Sequence, residues 1–116
     1  MLSRIASKRL SAFIVWVPQL AGRRSFVDSA ARLIDDPRAR HYWDQADVTG
    51  IEFGQLLGAA GPVWDVYLLY AAGVRWTAQL PPRPAFWMQQ LGLNKAPWLD
   101  APVLAAHVRS LLAGAT

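Results

Sequence analysis

The run VWDVYLLY, residues 63–70, constrains the fold of this chain more than any other feature. Its residues are apolar on both alternating faces except at Asp65, which is typical of a central strand covered on both sides. Such a strand requires further strands beside it and helices over its faces. An unpaired buried carboxylate would be costly, so we expect Asp65 to have a hydrogen-bonding partner or to lie near the edge of the sheet. The functional alternative is a role as an acid or base.

Strand-like and helix-like segments alternate around this run. Alternation early in the chain, followed by a hairpin, predicts an α/β fold with a mixed sheet of about four strands and helices on both faces. An extra C-terminal helix follows this core. Strands are predicted at residues 13–17, 39–44, 63–70 and 74–78, and helices at residues 25–34, 49–57, 84–91 and 102–112.

The residues at several predicted helix ends are typical capping residues. Thr49 and Glu52 have the spacing of a capping box, in which each side chain binds a free backbone amide. Gly58 suits the left-handed position that ends a helix, and Asp100 suits the N-cap of the last helix. These residues therefore predict where the second and the last helix begin or end.

The composition is that of one compact domain. The chain has 116 residues, of which 53% are hydrophobic and 17% charged, and this excludes a disordered chain. We assign residues 13–116 to a single domain and residues 1–12 to a basic N-terminal arm that is frayed or weakly helical. Alternatively, the arm and the next apolar run form a targeting peptide. The strand interpretation is favoured because the fold needs residues 13–17 as its first strand.

The net charge of +4 does not predict a nucleic-acid partner. Arg4, Lys8 and Arg9 supply three of the twelve positive charges, and the rest of the chain is close to neutral, without a basic stripe. The longest apolar run, residues 12–18, is too short to span a membrane. We expect a cytoplasmic protein, and the basic arm leaves a secreted or periplasmic location open.

The chain has no cysteine, and this removes several kinds of site. A disulfide, a thiolate nucleophile, an iron–sulfur cluster and a cysteine zinc site are all excluded. His41 and His107 are the only histidines, and nothing in their spacing requires them to meet a carboxylate. We therefore predict no metal and no cofactor.

Three features together resemble a thioredoxin-like fold. The strand FIVWV, residues 13–17, leads into a loop and a helix, where thioredoxins place their CxxC motif. The next strand ends in Trp43-Asp44-Gln45, similar to the strand end found there in thioredoxins. Gly61-Pro62 then precedes a strand, a glycine-containing turn and another strand. The resemblance implies that Pro62 is cis and faces the loop after the first strand.

The chain also resembles a group of bacterial thioredoxin-like proteins with HYWD, WDVYLLY and PP-x-P-x-FWM-x-QL motifs. These motifs occur here at residues 41–44, 64–70 and 81–91. Members of the group often carry a histidine where this chain has Gln89. The difference removes a candidate ligand or acid–base group from this chain.

The loop at the position of the redox motif departs from the thioredoxin pattern. Residues 19–24 read QLAGRR, without a cysteine. Dithiol–disulfide exchange requires a thiolate that attacks and a second thiol that resolves the mixed disulfide. Thioredoxin redox activity is therefore excluded.

A candidate ligand site lies at the start of the helix that follows this loop. Free backbone amides, the helix dipole and two guanidinium groups would hold a phosphate or carboxylate there. The alternative is a pair of solvated arginines on a surface turn, because the glycine spacing of a phosphate loop is missing. The candidate ligand-binding residues, including those expected nearby, are Gly22, Arg23, Arg24, Ser25, Pro62 and Trp64.

Asp65 and His41 are weak candidates for catalytic residues. His41 and Asp44 lie on or just after one strand, so they face opposite sides unless the chain bends after Trp43. A histidine without a ligand role and a structural hydrogen bond for Asp65 are the simpler interpretations.

The six tryptophans are an unusual density for a chain of this length. Those in predicted strands, Trp16, Trp64 and Trp76, are expected in the core. Trp43, Trp87 and Trp98 lie near the ends of elements, where an aromatic side chain often forms an interface.

These observations leave three hypotheses for function. The first is a non-redox thioredoxin-like module that binds a partner protein or a small anionic ligand. The second is an enzyme that acts on a small anionic substrate through Asp65, His41, Arg23 and Arg24. The third is a structural homodimer, with the tryptophan surface and the last helix supplying the contact.

Overall fold

The computed structural model describes residues 5–18, 35–78, 80–93 and 96–114. These residues form a mixed α/β structure, which confirms the α/β part of the predicted fold class. The predicted helix at residues 25–34 lies outside the described residues. In chain order the elements are β1 (Ala12–Trp16), β2 (Ala39–Trp43), α1 (Val48–Leu57), β3 (Val66–Leu69), β4 (Phe86–Gln89) and α2 (Ala101–Gly114).

The four strands pair in two ways. β1 and β2 are parallel, in a register that runs from Ala12 opposite Ala39 to Trp16 opposite Trp43. β3 and β4 are antiparallel, and Leu69 lies opposite Phe86 at the end nearest their connection. Within the described residues these pairs are two separate two-stranded sheets, where the sequence predicted one mixed sheet. The thioredoxin-like arrangement therefore stays a prediction.

Two predicted elements after β3 are wrong. Residues 74–78 form an exposed loop and not a strand, and residues 86–89 form β4 and not part of a helix. The ladder to β3 and the complete burial of Met88 stabilise residues 86–89 as a strand. These long-range contacts outweigh the helical spacing of the local sequence. The prolines just before β4 also disfavour a helix that would begin earlier.

The C-terminal helix α2 covers the β3–β4 sheet and the N-terminal segment. Ala105 and Val108 form a buried cluster with Ile5, against which Leu69 of β3 packs. The ring of His107 lies parallel to that of Phe86 on β4, with 3.6 Å between the ring centroids. The extra C-terminal helix is thus present, and it packs on its own chain.

The described part of the predicted N-terminal arm is packed against the domain and is not frayed. Ile5 is buried beside α2, and Leu10 packs against the same cluster. Arg9 donates from Nη2 to the carbonyl oxygen of Leu112, at 3.2 Å. A cation at the C-terminal end of a helix is favourable for the helix dipole. Residues 5–11 therefore belong to the fold of the domain.

A second arginine, Arg38, also binds this segment. Arg38 forms a bidentate salt bridge with Asp36, in which Nε donates to Oδ1 at 3.0 Å and Nη2 donates to Oδ2 at 2.8 Å. Its Nη1 donates to the carbonyl oxygens of Ile5 and Ser7. The hydrogen bonds and charge of Arg38 lower the pKa of Asp36 to about 2. The pair therefore joins the N-terminal segment to the start of β2.

The Asp36–Arg38 pair predicts a stability change in acid. The folded-state pKa of Asp36 is lowered from 3.8 to about 2, so its contribution is complete above about pH 4 and is lost as the pH falls towards 2. We expect the Asp36→Asn variant to be less stable than the unmodified protein at neutral pH, and the difference to shrink as the pH falls from 4 to 2. Urea denaturation of both proteins across that range measures the difference. A constant difference would contradict this assignment.

Of the three helix ends predicted from capping residues, two are confirmed. Asp100 accepts from the backbone N–H of Val103 at 3.2 Å, and Gly58 ends α1 in the left-handed region at φ 74°, both as predicted. The last helix also forms where it was expected. The capping box is wrong, because the N–H and the hydroxyl of Thr49 both donate to Oδ2 of Asp44, at 2.7 and 2.6 Å. α1 begins at Val48, one residue before the predicted start.

Candidate functional site

Two glycines give α1 a face that the following loop approaches closely. Gly50 and Gly54 are both buried on this helix. The N–H of Val63 donates to the carbonyl oxygen of Gly50 at 2.9 Å. A Cβ atom added to Gly54 would overlap the backbone carbonyl oxygen of Gly61. The absence of side chains at these two positions allows residues 61–63 to lie directly on the helix.

The chain turns back along α1 immediately after the helix ends. The N–H of Gly58 bonds to the carbonyl oxygen of Gln55 at 3.3 Å, and that of Ala59 to the carbonyl oxygen of Gly54 at 2.9 Å. The left-handed conformation of Gly58 provides the reversal at little steric cost. Residues 59–63 are therefore tied to the helix at several backbone positions.

A shallow groove of about 220 Å³ lies between α1 and this loop. Ile51 and Gln55, one turn apart, form its helical side, and residues 59–62 form the other. No side chain in this lining is charged. Pro62, a predicted ligand-binding residue, is exposed here, and the peptide bonds of the described residues are all trans. Pro62 therefore lacks the cis peptide bond that the thioredoxin-like resemblance implies.

Asp65 is exposed and does not lie within a buried strand. It precedes β3 and has a left-handed backbone, with φ 57°. The hydroxyl of Tyr67 donates to Asp65 Oδ1 at 2.9 Å and lies 3.1 Å from Oε1 of Gln90. Burial and the Asp65 carboxylate raise the pKa of Tyr67 to about 12. The expected hydrogen-bonding partner is thus present, but the cost of burying the carboxylate does not arise.

His41 is held by a tryptophan on the neighbouring strand. The indole Nε1 of Trp16 donates to Nδ1 of His41 at 3.1 Å, and the two rings are stacked with 6.1 Å between centroids. Tyr67 holds the other candidate, Asp65, so the two groups belong to different local pairs.

Asp44 has a structural role at the start of α1. Burial by itself would raise the pKa of its carboxyl, but the hydrogen bonds from Thr49 and from nearby backbone amides lower it overall. The carboxylate therefore satisfies helix N–H groups that would otherwise have no partner.

The remaining ligand-site predictions are tested only in part. Gly22, Arg23, Arg24 and Ser25 lie outside the described residues. Trp64 is half-buried. Among the residues that the structure describes, no group of three or more histidine, aspartate or glutamate side chains is placed to hold a metal ion.

None of the three tryptophans predicted in the core is fully buried, and Trp16 and Trp64 are half-buried. Trp76, predicted in the core, is 45% exposed and meets Phe53 edge-on. Of the predicted interface residues, Trp98 is largely exposed, whereas Trp43 and Trp87 are half-buried. The indole N–H of Trp43 is buried and has no acceptor in the part of the chain described by the structure.

Sequence reasoning missed the structural role of Gln89. This buried side chain accepts at Oε1 from the N–H groups of Leu91 and Leu93, at 2.8 and 3.1 Å. Its Nε2 donates to the carbonyl oxygen of Ala96 at 3.3 Å. Gln89 therefore holds the loop after β4 from inside. The only sequence signal at this position was that the similar bacterial proteins often have a histidine there. That difference suggested the loss of a ligand or acid–base group, and it did not indicate a structural role for Gln89.

The comparisons with known proteins identify no relative. No protein-family model matches the chain, and no curated protein and no solved structure shows significant similarity to it. Within the described residues, no helix is long and apolar enough to cross a membrane.

Proposed function

We propose that this chain is a non-redox thioredoxin-like module that binds a partner protein at the groove beside Pro62. The observation that carries the proposal is the uncharged groove between α1 and residues 59–62. The backbone contacts of Gly50 and Gly54 hold both of its sides in place. A site that is formed before binding loses little conformational entropy on association.

The lining of the groove favours an apolar side chain over a small anion. An anion would require cationic side chains or convergent N–H donors, and no charged side chain lines the groove. Its volume of about 220 Å³ is also below the roughly 300–1,000 Å³ of typical small-molecule sites. Ile51, which is 45% exposed, forms part of the apolar surface. These properties fit one apolar side chain of an extended segment.

The charge beside the groove indicates what else the partner segment carries. Asp65 follows Pro62 by three residues, so their Cα atoms lie within about 11 Å of each other. Its carboxylate is exposed, and its Oδ1 accepts from the Tyr67 hydroxyl. A lysine or arginine next to the apolar anchor would pair with this carboxylate. The proposed ligand is therefore an extended segment with an apolar residue beside a basic one.

One further observation supports the absence of redox chemistry in this proposal. The chain has no cysteine that could exchange disulfides. Within the described residues, Asp65 and His41 are held in separate pairs, and this arrangement does not favour the enzyme hypothesis.

A peptide array tests the groove directly. The purified chain is applied to peptides that carry one leucine, isoleucine or phenylalanine next to lysine or arginine, and the affinity of the best binder is measured by calorimetry. We expect Ile51→Asp to weaken binding at least tenfold, because it places a charge in the apolar lining. Gly61→Val should act similarly by filling the groove, since a Cβ at Gly61 meets no atom within 4 Å.

The matched control is Val103→Asp on α2. Val103 is 40% exposed against 45% for Ile51, and it does not line the groove. The control should bind the peptide as the unmodified protein does. Equal affinities for the Ile51→Asp and Val103→Asp variants would refute the proposal. Binding of inorganic phosphate instead of any peptide would favour the anionic-ligand hypothesis.

A further inference from the structure

The connection between β3 and β4 is a long loop whose two ends are joined by hydrogen bonds. It comprises residues 70–85, whereas hairpin loops usually have about two to five residues. The hydroxyl of Tyr70 donates to the carbonyl oxygen of Pro82 at 2.7 Å, and the N–H of Ala85 donates to that of Leu69 at 2.8 Å. Loops of this length without helix or strand are uncommon in compact domains and are often functional.

The loop exposes apolar side chains close together in the sequence. Residues 71–78 are exposed throughout. Val74, Trp76 and Leu80 are 48%, 45% and 38% exposed. Trp76 contacts Phe53 of α1 edge-on, with 5.9 Å between ring centroids, so the loop is attached to the body of the protein. Nearly half of the indole surface remains accessible to a partner.

All charged side chains between residues 66 and 99 are positive. No aspartate or glutamate occurs between residues 66 and 99, although the whole chain has eight. Arg75 and Arg83 lie on the loop, and both are exposed. The region therefore combines exposed tryptophan and aliphatic side chains with arginines and lacks carboxylates.

We propose that the loop of residues 70–85 binds the surface of an anionic membrane. Val74, Trp76 and Leu80 insert into the interfacial layer, where tryptophan is favoured because its ring is apolar and its N–H is polar. Arg75 and Arg83 pair with lipid phosphate and carboxylate groups. Binding of this kind lies in the interface and needs no membrane-spanning helix.

Charge complementarity and side-chain type favour a bilayer over an acidic protein. An acidic protein would satisfy both arginines, but it would also need a cavity for each of three separate apolar side chains. A bilayer interface accepts such side chains without a matching cavity, and its binding strength increases with both apolar area and positive charge. The loop offers both in one segment. This proposal does not depend on the groove beside Pro62.

Vesicle co-sedimentation of the full chain tests the proposal. We expect binding to phosphatidylcholine vesicles that contain about 30% phosphatidylserine, and weak binding to phosphatidylcholine alone. Val74→Asp should weaken binding at least tenfold, because it removes an inserting side chain and adds a repelled charge. Arg75→Gln and Arg83→Gln should each weaken it about fivefold, since one basic residue near an anionic surface contributes about 1 kcal/mol.

Val103→Asp is the matched control for Val74→Asp. Both replace an exposed valine and change the net charge equally, and Val103 lies on α2 outside the loop. The control and the groove variant Ile51→Asp should bind vesicles almost as the unmodified protein does. Equal losses for the Val103→Asp and Val74→Asp variants would show a general charge effect and overturn the proposal.

Two competitors separate the membrane from other anionic partners. Millimolar inorganic phosphate should leave vesicle binding unchanged, whereas displacement by phosphate would reveal a simple anion site and overturn the proposal. Polyglutamate represents an acidic protein. Binding of the chain to polyglutamate but not to vesicles, with the same dependence on Val74, would assign the loop to a protein partner instead.

Discussion

Replacing Gly54 with alanine is expected to lower the free energy of unfolding by about 2–3 kcal/mol. The added methyl group would overlap the backbone carbonyl of Gly61. Because the overlapping atoms belong to the backbone, the overlap cannot be relieved by a change of side-chain rotamer. Overpacking of this kind typically costs about 1–3 kcal/mol. Alanine regains about 1 kcal/mol of helix propensity, so we place the steric cost at the upper end of that range or above it. Urea denaturation measures the loss.

Gly61→Ala makes the same chemical change on the other side of this contact. A Cβ at Gly61 meets no atom within 4 Å, and the residue is not in the left-handed region. We expect its free energy of unfolding to stay within about 0.5 kcal/mol of the unmodified protein. If Gly54→Ala were as stable as Gly61→Ala, the close approach of α1 to the loop would be wrong.

The glycine contact also connects stability with the proposed binding site. Gly54 lies against the peptide that joins Gly61 to Pro62, and these two residues line the groove. A Gly54→Ala protein that remains folded must have moved that loop away from α1. Its peptide affinity should therefore fall together with its stability, whereas Gly61→Ala should affect the groove alone.

The sequence predicted the elements whose signals are local. β1, β2 and α2 form close to the expected residues, because alternation, helical spacing and a capping Asp100 are all encoded within a few positions. The α/β class follows from the order of these elements. These elements can be predicted from local sequence patterns without knowing which strands pair with each other.

The pairing of β3 with β4 could not be predicted in the same way. Residues 74–78 have the composition of a strand, but the partner of β3 lies beyond them, at residues 86–89. Strand pairing depends on side chains that meet across the sheet, and local propensity does not determine which segments meet. The exposed loop of residues 70–85 is a direct consequence of this pairing.

The groove was missed for a related reason. Gly50 and Gly54 look like weak points in a helix, because glycine lowers helix propensity. Their value becomes visible only when the loop of residues 61–63 packs on them. Asp65 was misjudged in the other direction. Its place in an apolar run made it look like a buried functional carboxylate, but it is exposed just before β3. Neither outcome follows from residue type without the tertiary contact.

Replacing Gln89 with methionine is expected to lower the free energy of unfolding by about 2–4 kcal/mol. Methionine matches the length of glutamine, so the change leaves little empty volume but removes both polar groups. The N–H groups of Leu91 and Leu93 lose their acceptor, and the carbonyl oxygen of Ala96 loses a donor. A buried polar group without a partner costs about 1–3 kcal/mol, and these residues are half-buried, so water replaces part of the loss.

Gln90→Met is the matched control, because it makes the same change at the next residue. Gln90 is exposed, and its side chain contacts only the Tyr67 hydroxyl among the hydrogen bonds described here. Its loss should change stability by less than about 0.5 kcal/mol. Hydrogen exchange adds a local measurement, since the amides of Leu91 and Leu93 should exchange faster in the Gln89→Met variant than in the Gln90→Met variant. Equal exchange at these two amides would show that Gln89 does not hold the loop, and the stability loss would then require another cause.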